Sequence, residues 1–128
     1  MKLSEYFAAT KGVGVLATAD EQGRVNAALY ARPHFLDPAD DGTCAFIMSD
    51  RLSHANVKAN PHAAYLFIEE AEPYAGRRLS LTMLGEETDQ AKIQSLRRRS
   101  VPPVSDGGAK FLVHFRIDGV RPLVGAES

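Results

Sequence analysis

The sequence lacks disulfide-forming cysteine pairs, an excess of charge and long apolar runs. Its one cysteine, Cys44, has no partner within the chain, which favours a reducing compartment. The 15 Lys and Arg residues nearly balance the 16 Asp and Glu residues, so no net positive field attracts nucleic acid or an anionic membrane. Since no apolar run approaches the roughly 20 residues that span a bilayer, we expect a cytoplasmic protein that binds neither nucleic acid nor membranes.

Signatures of catalysis by side chains are missing too. The four histidines form no i,i+4 pair and have no cysteine partners, so their spacing predicts no metal site. There is no G-x-S-x-G nucleophile elbow. Gly12, Gly14 and Ala17 match the dinucleotide-binding pattern, but that pattern requires a strand before it and a helix after it, and here the order is reversed. The residues therefore indicate no covalent catalysis by the protein itself.

Hydrophobic periodicity predicts six strands and three short helices, which we assign to a single domain spanning residues 1–128. The predicted strands cover residues 12–19, 24–35, 43–49, 63–69, 77–87 and 110–123, and the predicted helices cover residues 2–11, 51–59 and 88–100. A turn in which Gly23 can take a positive φ joins the first two strands as a hairpin. Pro33 cannot donate to a ladder, so we expect an edge or a bulge near the end of the second strand.

This order of elements indicates a mainly β protein with short helices. Because most strands follow one another without an intervening helix, we predict a compact, six-stranded antiparallel Greek-key barrel. The alternative, a doubly wound α/β sheet, would require a helix between most strands. The third strand is nearly all apolar, so we expect both of its faces to be buried. The helix after it is expected to turn Leu52, Ala55 and Val57 inward and to be capped by Ser49 or Asp50.

The junction between the third strand and this helix has the composition of an anion site. Ser49, Arg51, Ser53 and His54 lie at the helix start, where unpaired backbone N–H groups and the helix dipole attract anions. Hydroxyls and a guanidinium are ordinary phosphate ligands. Arg32, near the end of the second strand, could reach the same anion if the second and third strands pair. The alternative is a capped helix with solvated arginines.

Several segments occur in an order that is typical of one family. They are GVLATADEQGRVNAALY, DDGTCAFIMSD, a short helix ending in NPHAAYLF, then LSLTMLGEE, and finally the closing strand HFRIDGVRPL. Over residues 12–90 the chain resembles the FMN-binding split-barrel proteins related to pyridoxamine 5'-phosphate oxidase. The resemblance implies a split β-barrel that works as a homodimer, with FMN in a groove between the two subunits.

In that family the FMN phosphate lies near the third strand and the following helix, and the ring lies along the second and third strands. Carried over to this chain, the resemblance implies cofactor-binding roles for Ala28, Tyr30, Ala31, Arg32, Met48, Ser49, Arg51, Ser53 and His54. Tyr30 and Met48 would pack near the ring, and the arginines would hold the phosphate. Ser80 and Thr82 of a second subunit could hydrogen-bond the edge of the ring.

The chain departs from the family at the phosphate ligands. The oxidases carry an Arg-Lys pair at the helix start, where this chain has Leu52 and Ser53, so the usual lysine is missing. An arginine of the family's second strand corresponds to Ala28, and Arg32 or Arg51 would have to substitute for it. The sequence L-S-H at residues 52–54 is similar to the haem-utilisation and general flavin-reductase branches instead.

The resemblance therefore implies a flavoprotein, an FMN-dependent oxidoreductase whose small-molecule substrate or electron donor the sequence does not name. One alternative is a non-catalytic haem-binding or flavin-binding protein, in which His54 or His114 would be the axial haem ligand to test. Another alternative is a deazaflavin-dependent variant.

Overall fold

The structure, a computed structural model, describes residues 2–100 and 108–125. In these ranges it contains three helices, α1 (Leu3–Ala9), α2 (Leu52–Ala59) and α3 (Gln90–Ser100). The strands are β1 (Gly12–Ala19), β2 (Val25–Leu29), β3 (Thr43–Ser49), β4 (His62–Glu69), β5 (Gly76–Glu87) and β6 (Lys110–Pro122).

All six strands belong to one sheet with the order β2-β1-β4-β5-β6-β3. Each neighbouring pair is antiparallel, which confirms the mainly β prediction and excludes the doubly wound alternative. The sheet curls into a half-barrel, so its edge strands β2 and β3 face each other without forming a ladder. A bridge joins the two sides just beyond β2, where the backbone amides of His34 and Ala45 each donate to the other residue's carbonyl at 2.8 Å. The barrel is therefore split between β2 and β3.

The second strand is shorter than predicted, because β2 ends at Leu29 rather than at residue 35. The amide of Tyr30 still donates to the carbonyl of Gly14 at 2.9 Å. Beyond it the chain leaves β1, since Pro33 has no N–H for a ladder and the next residue, His34, pairs with β3. The expectation that Pro33 marks an edge is confirmed, and the early end of β2 is what opens the split.

The third strand is buried on both faces, as its apolar sequence predicts. Its alternate side chains Cys44, Phe46 and Met48 point into the barrel. On the opposite face, Ala45 packs in a second cluster with Ile93 of α3 and Leu112 of β6. Burial also raises the pKa of the Cys44 thiol to about 12, so this thiol stays protonated at neutral pH.

Aromatic side chains fill the interior of the barrel. Phe46 packs edge-to-face on Phe115 at 5.8 Å between ring centroids, and its ring lies 4.9 Å from that of Tyr65. α1 adds Tyr6 and Phe7 to the same cluster. Such pairs each contribute about 0.5–1.5 kcal/mol beyond the apolar area that they bury.

The inward face of α2 differs from the prediction. Leu52 is 56% exposed and Ala55 is exposed as well, so of the three expected core positions only Val57 is buried. The other buried side chains of this helix, Ser53, His54 and Asn56, are polar. Helix periodicity alone is misleading here because the part of the barrel that α2 covers offers polar partners.

Two contacts show which hydrogen-bond partners the polar side chains of this face have. Asn56 Nδ2 donates to the buried Thr18 hydroxyl at 3.1 Å. At the other end of the face, His54 Nε2 lies 2.7 Å from a carboxylate oxygen of Glu86 on β5. Because buried polar groups are costly without partners, these hydrogen bonds fix the position of α2 against the barrel.

We predict that Gly14→Ala destabilises the protein and that Gly119→Ala does not. A Cβ at residue 14 would lie 1.9 Å from Tyr65 Oη and 2.6 Å from the Tyr30 carbonyl oxygen, whereas a Cβ at residue 119 meets nothing within 4 Å. Overpacking of this kind costs about 1–3 kcal/mol. Urea denaturation should show the loss only for Gly14→Ala, and equal midpoints for the two variants would contradict it.

Candidate functional site

A groove of about 430 Å³ lies at the split between β2 and β3. Its lining combines small and apolar side chains with hydroxyls and one guanidinium: Asn26, Ala28, Leu29, Tyr30, Ala31, Ile47, Ser49, Arg51, Leu52 and Ser53. The lining residues come from β2 and the two residues after it, from the end of β3, and from the start of α2. Its volume is typical of ligand-binding pockets, about 300–1,000 Å³.

Strand alternation decides which side chains of β2 face the groove. Asn26 and Ala28 are partly buried on the groove side, whereas Val25 and Ala27 are exposed on the other side of the strand. The short side chain of Ala28 lets a ligand approach the backbone there. On the opposite wall, Ile47 adds an apolar surface.

One end of the groove is the N-terminus of α2. The N-cap residue is Arg51, which is extended (φ −134°, ψ −166°), and its side chain makes no capping hydrogen bond. Its carbonyl accepts the first helical hydrogen bond, from the amide of Ala55 at 3.0 Å. The expectation that Ser49 or Asp50 caps the helix is therefore wrong, since Ser49 belongs to β3 and Asp50 lies two residues before the helix. The first N–H groups of α2 are left for a ligand or water.

Tyr30 and Ser53 stand beside Arg51 at this end of the groove. Burial raises the pKa of the Tyr30 phenol, while a hydrogen bond with the Ser53 hydroxyl and the positive charge of Arg51 oppose that rise. The phenol therefore stays protonated at neutral pH. Two hydroxyls and a guanidinium are thus gathered at the uncapped helix end, which is an arrangement that can bind an anion.

Six of the nine sequence-predicted site residues meet in this groove: Ala28, Tyr30, Ala31, Ser49, Arg51 and Ser53. The structure places Arg32, Met48 and His54 elsewhere.

Arg32 is directed toward α1 instead of α2. Its Nη1 donates to the carbonyls of Phe7 and Thr10, each at 2.8 Å, and so satisfies acceptors that the end of α1 leaves unpaired. The side chain also lines a separate cavity of about 520 Å³ beside α1. The sequence predicts that Arg32 and Arg51 meet if the second and third strands pair. Because β2 and β3 form no ladder, the two arginines point to different parts of the molecule.

Met48 and His54 point into the molecule. Met48 has no exposed surface, because strand alternation turns it inward when Ser49 faces outward. The His54 side chain is 3% exposed, and its ring stacks on Phe111 with 4.0 Å between centroids. Its Nδ1 lies 3.4 Å from the Asp50 carboxylate, opposite the contact with Glu86. Neither residue lines the groove.

Comparison with known proteins finds similarity in structure only. No protein-family model and no curated protein sequence matches the chain. An FMN-binding protein from Syntrophomonas wolfei superposes with a TM-score of 0.76 at 16% identity, over 98% of this chain and 86% of that one. A candidate pyridoxamine 5'-phosphate oxidase from Listeria innocua superposes with a TM-score of 0.62 at 17% identity, over 95% of this chain and 98% of that one. The chain has the pyridoxamine 5'-phosphate oxidase-like split-barrel fold.

A third structure with this split-barrel fold is named F420 reductase. It superposes with a TM-score of 0.67 at 22% identity, over 94% of this chain and 98% of that one. At these identities the similarity establishes the fold alone. The fold is the one that the resemblance in sequence implies.

The split barrel brings one further cation to the site that sequence reasoning missed. Lys110, the first residue of β6, lies directly opposite Ser49 in the β3–β6 ladder, and its Nζ donates to Ser49 Oγ at 3.0 Å. Ser49 and Lys110 are 61 residues apart, so the sequence does not show that they are neighbours. It indicates only that Lys110 points to the same side of the closing strand as Leu112 and His114. Ser49 therefore contacts an ammonium rather than the helix N–H groups.

Two further kinds of site were searched for in the part of the chain that the structure describes. It contains no group of three or more His, Cys, Asp or Glu side chains arranged to hold a metal ion. No helix among residues 2–100 and 108–125 has the length and apolar character needed to cross a bilayer.

The contacts of His54 predict that Glu86→Ala costs more stability than Asp50→Ala. Glu86 is the closer partner of the buried ring, and a buried polar group that loses its partner costs about 1–3 kcal/mol. Asp50 is 81% exposed and 3.4 Å from the ring, so its loss should cost less than about 1 kcal/mol. Chemical denaturation of the two variants measures the difference, and a larger loss for Asp50→Ala would contradict the assignment.

Proposed function

We propose that this protein is an FMN-binding flavoprotein that acts as an oxidoreductase on a small-molecule substrate. The observation that carries the proposal is the groove with an uncapped helix N-terminus at one end and small or apolar side chains along the rest. FMN has the matching shape and polarity, because a largely apolar planar ring is joined to a dianionic phosphate.

The residues present fit this cofactor. Arg51 and the hydroxyls of Ser49 and Ser53 supply charge-assisted and neutral hydrogen bonds for a phosphate, and the helix dipole adds to them. Ala28 and Ile47 offer room and apolar contact for a ring. Among similar structures, one is named as an FMN-binding protein, which supports the same ligand class.

When bound, FMN supplies the transfer of electrons or hydride, and the protein supplies position and electrostatics. Arg51 and the first turn of α2 would hold the charged tail, and the side chains of β2 that line the groove would contact the ring. The protonated Tyr30 phenol can donate a hydrogen bond into the groove or hold a substrate atom there. The apolar side chains of the lining, such as Ile47, would exclude water from the bound ring.

A homodimer is the second part of the proposal. The outer face of the sheet beside the groove is apolar across three neighbouring strands, and we name these side chains the outer apolar face. It consists of Val13, Val15, Ala17, Ala19, Val25, Ala27, Leu29, Ala64, Leu66 and Ile68. The ladders place them in direct register, with Val15 opposite Leu29 and Leu66, and Ala17 opposite Ala27 and Ala64.

A second copy of the chain fits this surface. Exposed apolar patches of neighbouring side chains mark interaction sites, and the small alanines at the centre allow close approach of another sheet. Beyond β4 the surface becomes polar at Arg78, Ser80 and Thr82, as the rim of an interface does. Leu29, 76% exposed, belongs both to the outer apolar face and to the groove. A subunit seated on this face would therefore also cover the groove.

The haem-binding alternative has less support than flavin binding. Neither histidine named as an axial ligand lines the groove. His54 is also buried, with both of its ring nitrogens facing carboxylates. A deazaflavin is the second candidate, because one structural neighbour is named F420 reductase and an anion site would suit its phosphate as well. Parallel titrations with FMN and F420 decide between the two flavins.

The cytoplasmic location stays a prediction.

We predict that Arg51→Ala weakens FMN binding by about 10- to 100-fold, because a charge-assisted hydrogen bond contributes roughly 1.5–3 kcal/mol. Arg32→Ala is the matched control, since it removes the same charge from a side chain that contacts α1 instead. Quenching of flavin fluorescence measures both affinities on folded protein. Equal losses in the two variants, or unchanged affinity in Arg51→Ala, would contradict the phosphate assignment.

For the dimer, we predict that Ala64→Arg yields monomers, because a guanidinium at the centre of the contact would be buried without a partner. Ala64 is exposed within one subunit, so its replacement leaves the fold intact. Val124→Arg is the control at another exposed apolar residue, which follows β6 and is separated from the face by β5. Sedimentation velocity reports both states, and a wild-type monomer that binds FMN tightly would refute the interface.

A further inference from the structure

The cavity of about 520 Å³ beside α1 is a second space with the size of a ligand pocket. It lies between α1 and the segment that follows β2, where residues 32–35 line it, and Pro38 and side chains of α1 complete its lining. The groove is lined instead by residues 28–31 and by β3 and α2. The two spaces have no lining residue in common.

We propose that this cavity binds a small organic acid, with the carboxylate of the ligand paired to Arg32 and its apolar body packed against aromatic and proline side chains of the lining. Such a site goes beyond flavin binding and is independent of it, because the groove and the cavity are built from different residues.

The Arg32 guanidinium has donors left for a ligand. Its Nη1 carries two N–H groups, which are used by the carbonyls of Phe7 and Thr10. Within residues 2–100 and 108–125, Nε and Nη2 have no hydrogen-bond partner, and no carboxylate forms an ion pair with this side chain. The Nε–Nη2 edge of a guanidinium presents two parallel N–H groups, which match the two oxygens of a carboxylate. Arg32 can therefore bind a carboxylate through both oxygens.

Arg32 is held in position before any ligand binds. Its two hydrogen bonds to the end of α1 fix the guanidinium. The Tyr65 hydroxyl lies 3.2 Å from the carbonyl oxygens of both Tyr30 and Ala31, which directly precede Arg32. On the other side, the backbone of His34 is bridged to β3. A donor that is already fixed loses little conformational freedom on binding, which favours affinity.

The rest of the lining suits an apolar body with one negative charge. Phe7 and Phe35 stack with 6.1 Å between ring centroids, and both line the cavity. Burial lowers the pKa of His34, so its imidazole is uncharged at neutral pH. Glu5 is the one carboxylate among the described residues that line the cavity, and its Oε1 accepts from the Lys2 amide at 3.2 Å. With one guanidinium and one carboxylate in the lining, a monocarboxylate fits better than a dianion, which Glu5 would repel more strongly.

The first test compares naphthoate with naphthamide, its neutral match with the same rings. Titration into isotope-labelled protein, followed by amide NMR spectra, should give saturable shifts in α1 and residues 32–35. We expect naphthamide to bind at least about tenfold more weakly, because it cannot form the charge-assisted pair. Saturating FMN should leave the naphthoate affinity unchanged. Equal affinities for the two probes, or competition between naphthoate and FMN, would overturn the site.

The second test uses substitutions. Ala8 lines the cavity and Ala9 does not, and both are exposed on α1, so neither replacement disturbs the core. Ala8→Trp places an indole in the cavity and should weaken naphthoate binding at least about tenfold, whereas Ala9→Trp, the matched control, should bind as wild type does. Arg32→Gln should abolish the preference for naphthoate over naphthamide.

The outcomes separate this site from the proposed function. Unchanged naphthoate affinity in Ala8→Trp would overturn the location, and a preference for naphthoate retained in Arg32→Gln would overturn the role of Arg32. If Arg32→Gln does not fold, the comparison of Ala8→Trp with Ala9→Trp still decides the location. Protein that binds naphthoate in the cavity but does not bind FMN would support this site and contradict the flavoprotein proposal.

Discussion

The absence of a β2–β3 ladder is the constraint on which the rest of this structure depends. A fully closed barrel would pair the edge strands and leave no space between them. Here β2 ends at Leu29 and the backbone turns away, and among the described residues the His34–Ala45 pair is the one backbone bridge between the two sides. Along the resulting split, Ala28 on β2 and Ile47 and Ser49 on β3 leave space between the strands, so the gap is a groove rather than a packed seam. The groove between β2 and β3 follows from this early strand end.

The polar inward face of α2 serves the same site. Ordinary amphipathic packing would turn Leu52 into the core and leave the polar residues in water. Instead, Asn56 and His54 bond to β1 and β5, and these directed contacts fix the rotation and position of the helix. The N-terminal N–H groups of α2 are consequently held at the end of the groove without a capping side chain. A helix anchored only by apolar contacts would leave its rotation less precisely determined, because hydrophobic attraction is not directional.

The outer surface and the groove form one continuous region. The outer apolar face ends at Leu29, where the groove begins, so a partner subunit and a bound ring would contact the same edge strand. Arg51 and Lys110 lie at the opposite end, near the start of α2. This separation of an apolar edge from a cationic corner is what the proposed ligand, with its flat ring and charged tail, would require. A local group of cations can attract an anion even though the chain has no net positive charge.

The sequence by itself determined the strand phases, the hairpin turn at Gly23 and the burial of the third strand on both faces, and it predicts an anion site at the strand–helix junction. These depend on residues close together in the chain, through side-chain period and turn chemistry. Only the tertiary structure decided that Arg32 contacts α1, that Met48 and His54 point inward, and that Lys110 meets Ser49. Those outcomes depend on which strands pair and on where the sheet opens, and strand pairing is a non-local choice that local periodicity does not encode.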